Sequence, residues 1–339
     1  MKVSFPHMGN LYIVIASTLE MLGGEVIIPP YNSKKALSIG TRYSPEAVCL
    51  PYKLVLGNYI QAIENGAEAL LMIDSPGICR LGQYSASTRE ALIDLGYDVE
   101  FINLDLYKNK LKEMYFGFWR ATGNANPFEL VNAVRLAILK VQLFDQLDKV
   151  LYYYRAREVY PGEADRYYNM GLKKIYKAYT VKDTKEAFQE AKYLIQRTVI
   201  DPERQVVNID ITGEIYVVID QFSNLEIEKE LGKLGVQVNR RVCLSNWINA
   251  TITPAFLRKG ETHEEIAHRN AKGYLSRDIG GDGLESVGDT SYAGDDNQID
   301  GVIHLLPFTC MPEIVAQNIL PNIRNEKDIP VLSLVLDEQ

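Results

Sequence analysis

The chain has 339 residues, 47% of them hydrophobic, and this length allows two domains with a core each. A formal net charge of −8 and the lack of any Lys/Arg cluster exclude nucleic acid as a partner. No apolar run approaches the roughly 20 residues of a membrane span, and residues 1–30 lack the pattern of a signal peptide. We therefore expect a cytoplasmic protein that makes no membrane contact.

The first third of the chain alternates short apolar strands with amphipathic helices. We predict strands at 3–5, 25–28, 69–73 and 98–102 and helices at 11–22, 51–65 and 83–95. Strand–helix–strand units of this kind build parallel sheets. The pattern therefore predicts an open α/β sheet over residues 1–115.

Residues 116–204 differ in character and are predicted to form a helical connecting segment. Between 128 and 200 the apolar residues recur at helical spacing, and Lys/Glu pairs lie three or four residues apart. The segment also carries a band of tyrosines, namely Tyr152, Tyr153, Tyr154, Tyr160, Tyr167 and Tyr168. Packing is the simpler interpretation of this band, and a role facing a substrate is the alternative.

Strand–helix alternation resumes over residues 205–339, which we assign to a second α/β domain. We predict strands at 206–211, 215–219, 236–241, 302–306 and 331–334 and helices at 225–234, 262–275 and 313–323. Residues 278–300 carry seven acidic side chains and neither Lys nor Arg, which is typical of a solvated loop. In the alternative interpretation, Gly280 and Gly281 lead into a helix near Ser286 whose free N–H groups hold a phosphate or carboxylate.

The four cysteines lie where predicted elements meet. Three of them each follow a predicted strand, namely Cys79, Cys243 and Cys310, and Cys49 precedes a predicted helix. Cys79 belongs to a loop that begins at residue 74. Cys49 and Cys310 each stand two residues before a proline, as at a helix start, where the helix dipole favours a thiolate. Because ligands gather at the carboxyl ends of parallel strands, all four thiols could line one inter-domain cleft. Buried inert thiols and a zinc site remain alternatives.

Several segments resemble a known family. SPEAVCLPYK (44–53), CRLGQY (79–84) and PFTCMPE (307–313) resemble the cysteine-bearing segments of the 2-hydroxyacyl-CoA dehydratase D-component family. FPHMGN (5–10), GEIY (213–216) and DGVIH (300–304) are similar to the branch of that family related to CoA-substrate-specific enzyme activases. The resemblance covers nearly the whole chain and implies an α/β fold of two Rossmann-like open-sheet domains with the helical connecting segment between them.

The resemblance also implies an iron–sulfur protein of anaerobic metabolism. Cys49, Cys79 and Cys310 would hold a [4Fe–4S] cluster between the domains, with a larger double-cubane cluster as the alternative. Three thiolates leave one iron open to another ligand. Cys243 lies outside the family motif, so we interpret it as a core residue first and as a fourth ligand second.

The family's chemistry suggests partners and a reaction. Relatives receive low-potential electrons from a separate ATP-hydrolysing activator with its own iron–sulfur cluster, and this chain has no P-loop motif. We expect such an activator as partner, a homo- or heterodimer, and dehydration or reduction of a CoA ester or other small molecule, such as an (R)-2-hydroxyacyl-CoA. The alternative is a non-catalytic accessory or electron-transfer subunit that binds an activase or dehydratase partner.

Other residues are candidates for supporting roles. Lys53 and Arg80 fall inside the matched segments and are expected to neutralise an anionic cluster or a CoA phosphate. His7, His304 and Glu313 are candidates for proton transfer, since a radical elimination still needs a base. Relatives continue into a terminal helix, so we also expect the second domain to be truncated at its end.

Overall fold

The computed structural model describes residues 1–74, 79–105, 111–124, 126–251, 258 and 260–338. Strands occur at β1 (Lys2–Ser4), β2 (Glu25–Val26), β3 (Ala69–Asp74), β4 (Glu100–Asp105), β5 (Val207–Gly213), β6 (Val236–Arg240), β7 (Gly301–Pro307) and β8 (Val331–Leu336). Helices occur at α1 (Leu11–Met21), α2 (Lys34–Tyr43), α3 (Leu50–Glu64), α4 (Tyr84–Asp94), α5 (Leu111–Thr122), α6 (Pro127–Arg157), α7 (Glu163–Tyr176), α8 (Val181–Gln196), α9 (Ile215–Ile219), α10 (Ile227–Lys233), α11 (Leu244–Thr251), α12 (His263–Ala271), α13 (Gly283–Asp295) and α14 (Met311–Lys327). A short 3₁₀ turn covers Arg80–Gln83.

The strands form two parallel sheets that repeat one topology. Their orders are β2-β1-β3-β4 and β6-β5-β7-β8, and every pair is parallel. The prediction of two Rossmann-like open sheets is confirmed. In both sheets the strand order reverses between the two central strands, β1 and β3 or β5 and β7, and such a reversal opens a crevice at their carboxyl ends. The fold therefore offers one binding position in each sheet.

The two sheets share a hydrophobic core rather than having entirely separate ones. The largest cluster contains Leu54 and Leu70 from the first sheet and its helices together with Val217 and Leu305 from the second. Hydrogen bonds cross the same interface, because the Tyr216 hydroxyl donates to the His7 carbonyl at 2.8 Å. The carboxyl ends of both sheets are thereby held in a fixed relation.

The connecting segment is a helical layer formed by α6, α7 and α8. Their apolar faces pack on one another and on α1. The tyrosine band divides: Tyr152 and Tyr168 are buried, whereas Tyr153 and Tyr160 are exposed. The Tyr152 hydroxyl donates to Glu228 at 2.8 Å, beside an ion pair of Arg240 with that carboxylate. Tyr152 thus connects this layer to the second α/β region through a polar contact as well as packing.

Three predictions of secondary structure are wrong or incomplete. Residues 215–219 form helix α9 instead of a strand, because the Glu214 carboxylate accepts a hydrogen bond from the Val217 N–H at 3.0 Å and caps a helical turn. Residues 278–300 are no solvated loop, since α13 fills most of them and Val287 is buried. Helix α2, which Ser33 caps, was not predicted. Residues 75–78, which the sequence places in a loop before Cys79, lie outside the described residues.

In the ranges given above, none of the helices combines the length and the apolar composition needed to cross a membrane.

Candidate functional site

Three cysteines occupy equivalent positions, each as the N-cap residue of a helical element. Cys49 caps α3, Cys79 caps the 3₁₀ turn and Cys310 caps α14. Each has an extended backbone, and prolines in the first turns of α3 and α14 fix the start of those helices. The prediction that the two Cys-x-Pro segments begin helices is therefore confirmed.

One arginine links the three cysteine-bearing loops. Arg80, the neighbour of Cys79, donates from Nη1 to the Ala47 carbonyl at 2.9 Å and from Nη2 to the Thr309 carbonyl. Ala47 lies two residues before Cys49, and Thr309 lies directly before Cys310. Thr309 has φ +66°, a left-handed conformation that is strained for a β-branched residue. The guanidinium therefore connects segments from both sheets at the point where they carry their thiols.

Three of the four thiols line a cavity of about 330 Å³. Cys79, Cys243 and Cys310 line it, together with Glu214 at the end of β5. Cys49 does not line it: it is buried near enough to Cys79 for the two thiols to interact electrostatically, and its Sγ is 2.8 Å from the Tyr84 hydroxyl oxygen. Three of the four thiols predicted to share a cleft are thus brought to one cavity, and the fourth lies next to it.

Burial and carboxylates determine the charge state of these thiols. Burial raises the pKa of Cys49, Cys79 and Cys310, and the nearby Glu214 carboxylate raises each further. The N–H groups of the following turns lower those pKa values only partly. The expectation of dipole-stabilised thiolates is therefore wrong for the protein alone, because desolvation outweighs the helix dipole.

Cys243 lies in the cavity wall but differs from the other three. Its thiol points to the Arg240 carbonyl oxygen at 3.6 Å, and burial raises its pKa to about 11. It follows β6 at the edge of the second sheet, whereas Cys310 follows the central strand β7. Its position fits a buried wall residue and leaves it within the same cavity as Cys79 and Cys310.

Carboxyl groups dominate the rest of the cavity. Burial raises the pKa of Glu214 to about 7, and burial together with Glu214 holds the pKa of Asp282 well above its usual range. The Asp282 carboxylate accepts a hydrogen bond from the Ile215 N–H at 2.9 Å. Among the described residues that line the cavity, neither Lys nor Arg occurs. The cavity therefore disfavours a phosphate inside it.

The residues expected to bind a phosphate or an anionic cluster have other neighbours. The Lys53 ammonium is buried and pairs with Glu338 and, at 4.0 Å, with Asp337. Gly280 and Gly281 line the cavity, whereas Ser286 is buried inside α13. Gly281 has φ +54°, and a Cβ there would lie 3.8 Å from Cys79 Sγ and 3.0 Å from a Pro312 side-chain carbon. Its missing side chain leaves room beside the sulfur.

The three candidates for proton transfer do not line this cavity. His304 and Glu313 form a fully buried pair beneath Cys310, with Nε2 and Oε2 2.8 Å apart, and the other His304 nitrogen lies 3.1 Å from the Ser333 hydroxyl oxygen. His7 is buried between Tyr12 and Tyr31, and its backbone N–H donates to Asn58. Burial lowers the pKa of His7 to about 4, which keeps the ring neutral.

Sequence reasoning missed several residues of this site. Glu214 follows β5 in the same way that Cys310 follows β7, so the rule applied to the cysteines would have found it. His263, Glu264 and His268 reach the cavity from α12, and Glu285 reaches it from α13. The four-residue spacing of Glu264 and His268 was the available signal, since it places both on one helix face.

Comparison with protein families gives a match over most of the chain. Residues 6–241 match the family described as the CoA enzyme activase uncharacterised domain. The chain belongs to this family. The matched part of this CoA enzyme activase-related protein contains Cys49, Cys79 and Glu214, whereas Cys243, Cys310 and helices α12–α14 follow it. No curated protein matches the chain.

Proposed function

We propose that this CoA enzyme activase-related protein holds an iron–sulfur cluster, a [4Fe–4S] cluster in the simplest case, through Cys49, Cys79 and Cys310. One observation carries the proposal: three cysteines from both sheets cap three helical elements, and Arg80 links their loops. Crevices at the reversal of strand order are where open α/β sheets bind ligands.

The residues present fit such a group. Soft thiols drawn from separate segments are the donors that iron–sulfur clusters take. The glycine at position 281 leaves space beside the Cys79 sulfur that any Cβ would reduce. Backbone N–H groups of Tyr52, Leu81 and Glu313 face the three sulfurs, and hydrogen bonds to sulfur tune a cluster's potential. When bound, the cluster supplies one-electron transfer and one iron with an open coordination position.

The chain's own residues would orient and shield this site. The Tyr84 hydroxyl fixes the Cys49 sulfur at 2.8 Å. Leu81, Ile215 and Trp247 form the wall shared with a neighbouring cavity of about 130 Å³, whose other lining residues are mostly apolar. This wall keeps water from one side of the thiols and gives the apolar part of a small substrate a place next to them.

We infer that the electron donor is a separate ATP-dependent activator, because the chain has no P-loop motif and belongs to an activase-related family. The substrate of the proposed dehydratase or reductase reaction would be a CoA ester or another small molecule. Its phosphates would have to lie outside this cavity, since the described lining residues include neither Lys nor Arg to offset their charge.

The acidic cavity also favours a second candidate function. A subunit that only accepts electrons and delivers them to a partner needs no phosphate site beside its thiols. In that case the protein would be an accessory subunit bound to an activase or a dehydratase component.

Anaerobic reconstitution tests the cluster. We expect the wild-type protein to bind about four irons and four sulfides per chain and to give an EPR signal on reduction. The variants C49A, C79A and C310A should each lose most of this iron. C243A is the matched control, because it removes a buried thiol from the same cavity and should keep the cluster. No bound iron and sulfide, or equal iron in all four variants, would contradict the proposal.

Turnover separates the two functions. The reconstituted protein is mixed with an ATP-dependent activator and a 2-hydroxyacyl-CoA, and both product and complex formation are measured. Activator-dependent product supports the enzyme, whereas a stable complex and a reduced cluster without product support the accessory subunit.

A further inference from the structure

We propose that Glu264, His268 and Glu285 bind one divalent transition-metal ion in the wall of the thiol-lined cavity. One ligand atom from each side chain lies within 4.8 Å of the other two. All three residues line the cavity, and none of them belongs to the cysteine site. The proposal does not depend on the iron–sulfur cluster.

The two helices that carry these side chains fix their relation. Glu264 and His268 lie one turn apart on α12, whose start is held by a capping box: Thr262 accepts from the Glu265 N–H, and Glu265 accepts from the Thr262 N–H. Gly288 allows α13 to approach closely, because a Cβ there would lie 1.9 Å from the Ala267 carbonyl oxygen. The first turn of α13 therefore presents Glu285 directly to α12.

The second observation is an unpartnered carboxylate oxygen. Glu285 Oε1 lies 2.8 Å from His268 Nε2, but Oε2 is buried and has no hydrogen-bond partner in the described part of the chain. A buried polar atom left without a partner destabilises the folded protein. A cation between Glu285 and Glu264 would satisfy this oxygen.

The electrostatics of the cavity favour a cation at this position. Acidic side chains line the same cavity, and the described lining residues include neither Lys nor Arg that would repel a cation. One imidazole and two carboxylates suit Mn²⁺, Fe²⁺ or Zn²⁺, whereas soft thiols suit copper(I) and iron–sulfur clusters. The site is therefore chemically distinct from the cysteines across the cavity.

Three protein ligands leave coordination positions open toward the cavity. In such sites a divalent ion binds an oxygen of the substrate or a water molecule and polarises it. The ligand class that this site would hold is thus an oxygen-bearing group, such as a carbonyl or hydroxyl, brought beside the thiols.

Manganese titration tests the site, because Mn²⁺ prefers oxygen and nitrogen donors to thiols. EPR counts free Mn²⁺ in metal-free, full-length protein. We expect one bound Mn²⁺ per chain and binding at least about tenfold weaker in H268A, E285Q and E264Q. Glu264 is exposed, so E264Q keeps the fold even if a change at a buried position does not. H263Q is the matched control: His263 lines the same cavity outside the triad and should leave binding unchanged.

The cysteine variant C79A/C310A distinguishes the two sites. Unchanged Mn²⁺ binding in this variant supports the triad. No Mn²⁺ binding by the wild-type protein, binding that persists in E264Q and H268A, or binding that is lost with the two cysteines would each overturn the proposal.

Discussion

Lys53 and its two carboxylate partners can be tested by a double-mutant cycle, in which we expect removal of the carboxylates to cost more stability than removal of the lysine. The Lys53 side chain is 3% exposed, whereas its partners Glu338 and Asp337 are 29% and 33% exposed. The double substitution D337N/E338Q leaves a buried ammonium without a carboxylate, which costs about 3 kcal/mol of the free energy of unfolding. K53M costs only about 1 kcal/mol, because both carboxylates can turn to solvent and a methionine fills the buried space.

Urea unfolding, followed by circular dichroism, measures the free energy of unfolding for the wild type, K53M, D337N/E338Q and the combined variant. We expect the combined variant to recover about 2 kcal/mol relative to D337N/E338Q, since no unpaired ammonium remains. Equal losses in K53M and D337N/E338Q, or no recovery in the combined variant, would refute this account. Lys53 would then be available to an anionic ligand, as the sequence suggested.

Three further predictions concern other described residues. Burial lowers the pKa of His7 from 6.5 to about 4, so the unfolded chain binds a proton that the folded chain does not. The free energy of unfolding should therefore fall by up to about 3 kcal/mol as pH drops from about 6.5 to 4. H7F should flatten this part of the curve of melting temperature against pH, and an unchanged slope in H7F would contradict the prediction. R80A removes two hydrogen bonds between loops, so amide hydrogen exchange should accelerate several-fold in the first turns of α3 and α14. R80K should give intermediate exchange rates, and unchanged exchange in R80A would contradict the prediction. G281V forces a branched side chain into a left-handed backbone beside Pro312 and should cost about 2 kcal/mol in urea unfolding. G260V, where a Cβ would meet no atom of the described residues within 4 Å, is the control for the left-handed strain, and equal losses would contradict the contact.

Much of the fold could be predicted because its signals are local. Strands such as 69–73 are continuous apolar runs, and the Cys-x-Pro segments mark helix starts by the geometry of proline. Residues 215–219 show where this fails: Ile and Val favour strands by propensity, but capping by Glu214 and burial against both sheets produce a helix. The acidic run 278–300 fails for a related reason, since the close approach of α12 and α13 depends on tertiary contacts.

The site could be predicted only in part. Strand ends identified Cys79 and Cys310 because parallel strands bring their carboxyl ends together. Charge states were not predictable in the same way. The pKa of a thiol at a helix start depends on burial and on Glu214, which is more than one hundred residues from Cys49 and Cys79 in sequence, and neither effect is visible locally. Lys53 was likewise assigned to an anion, although its carboxylate partners come from the other end of the chain.

The proposed three-cysteine site draws its residues from both sheets, which repeat one strand order. Cys79 follows β3 in the first sheet, and Glu214 and Cys310 follow β5 and β7 in the second. Each sheet alone supplies an incomplete donor set, and the interface that joins them, which includes the Tyr216 bond to His7, brings the sets together. The family match ends at residue 241, before Cys310 and before the helices that carry the proposed metal ligands. A protein limited to the matched region would keep Cys49 and Cys79 but could not complete a three-cysteine site. The proposed cluster site therefore requires both sheets and not the matched region alone.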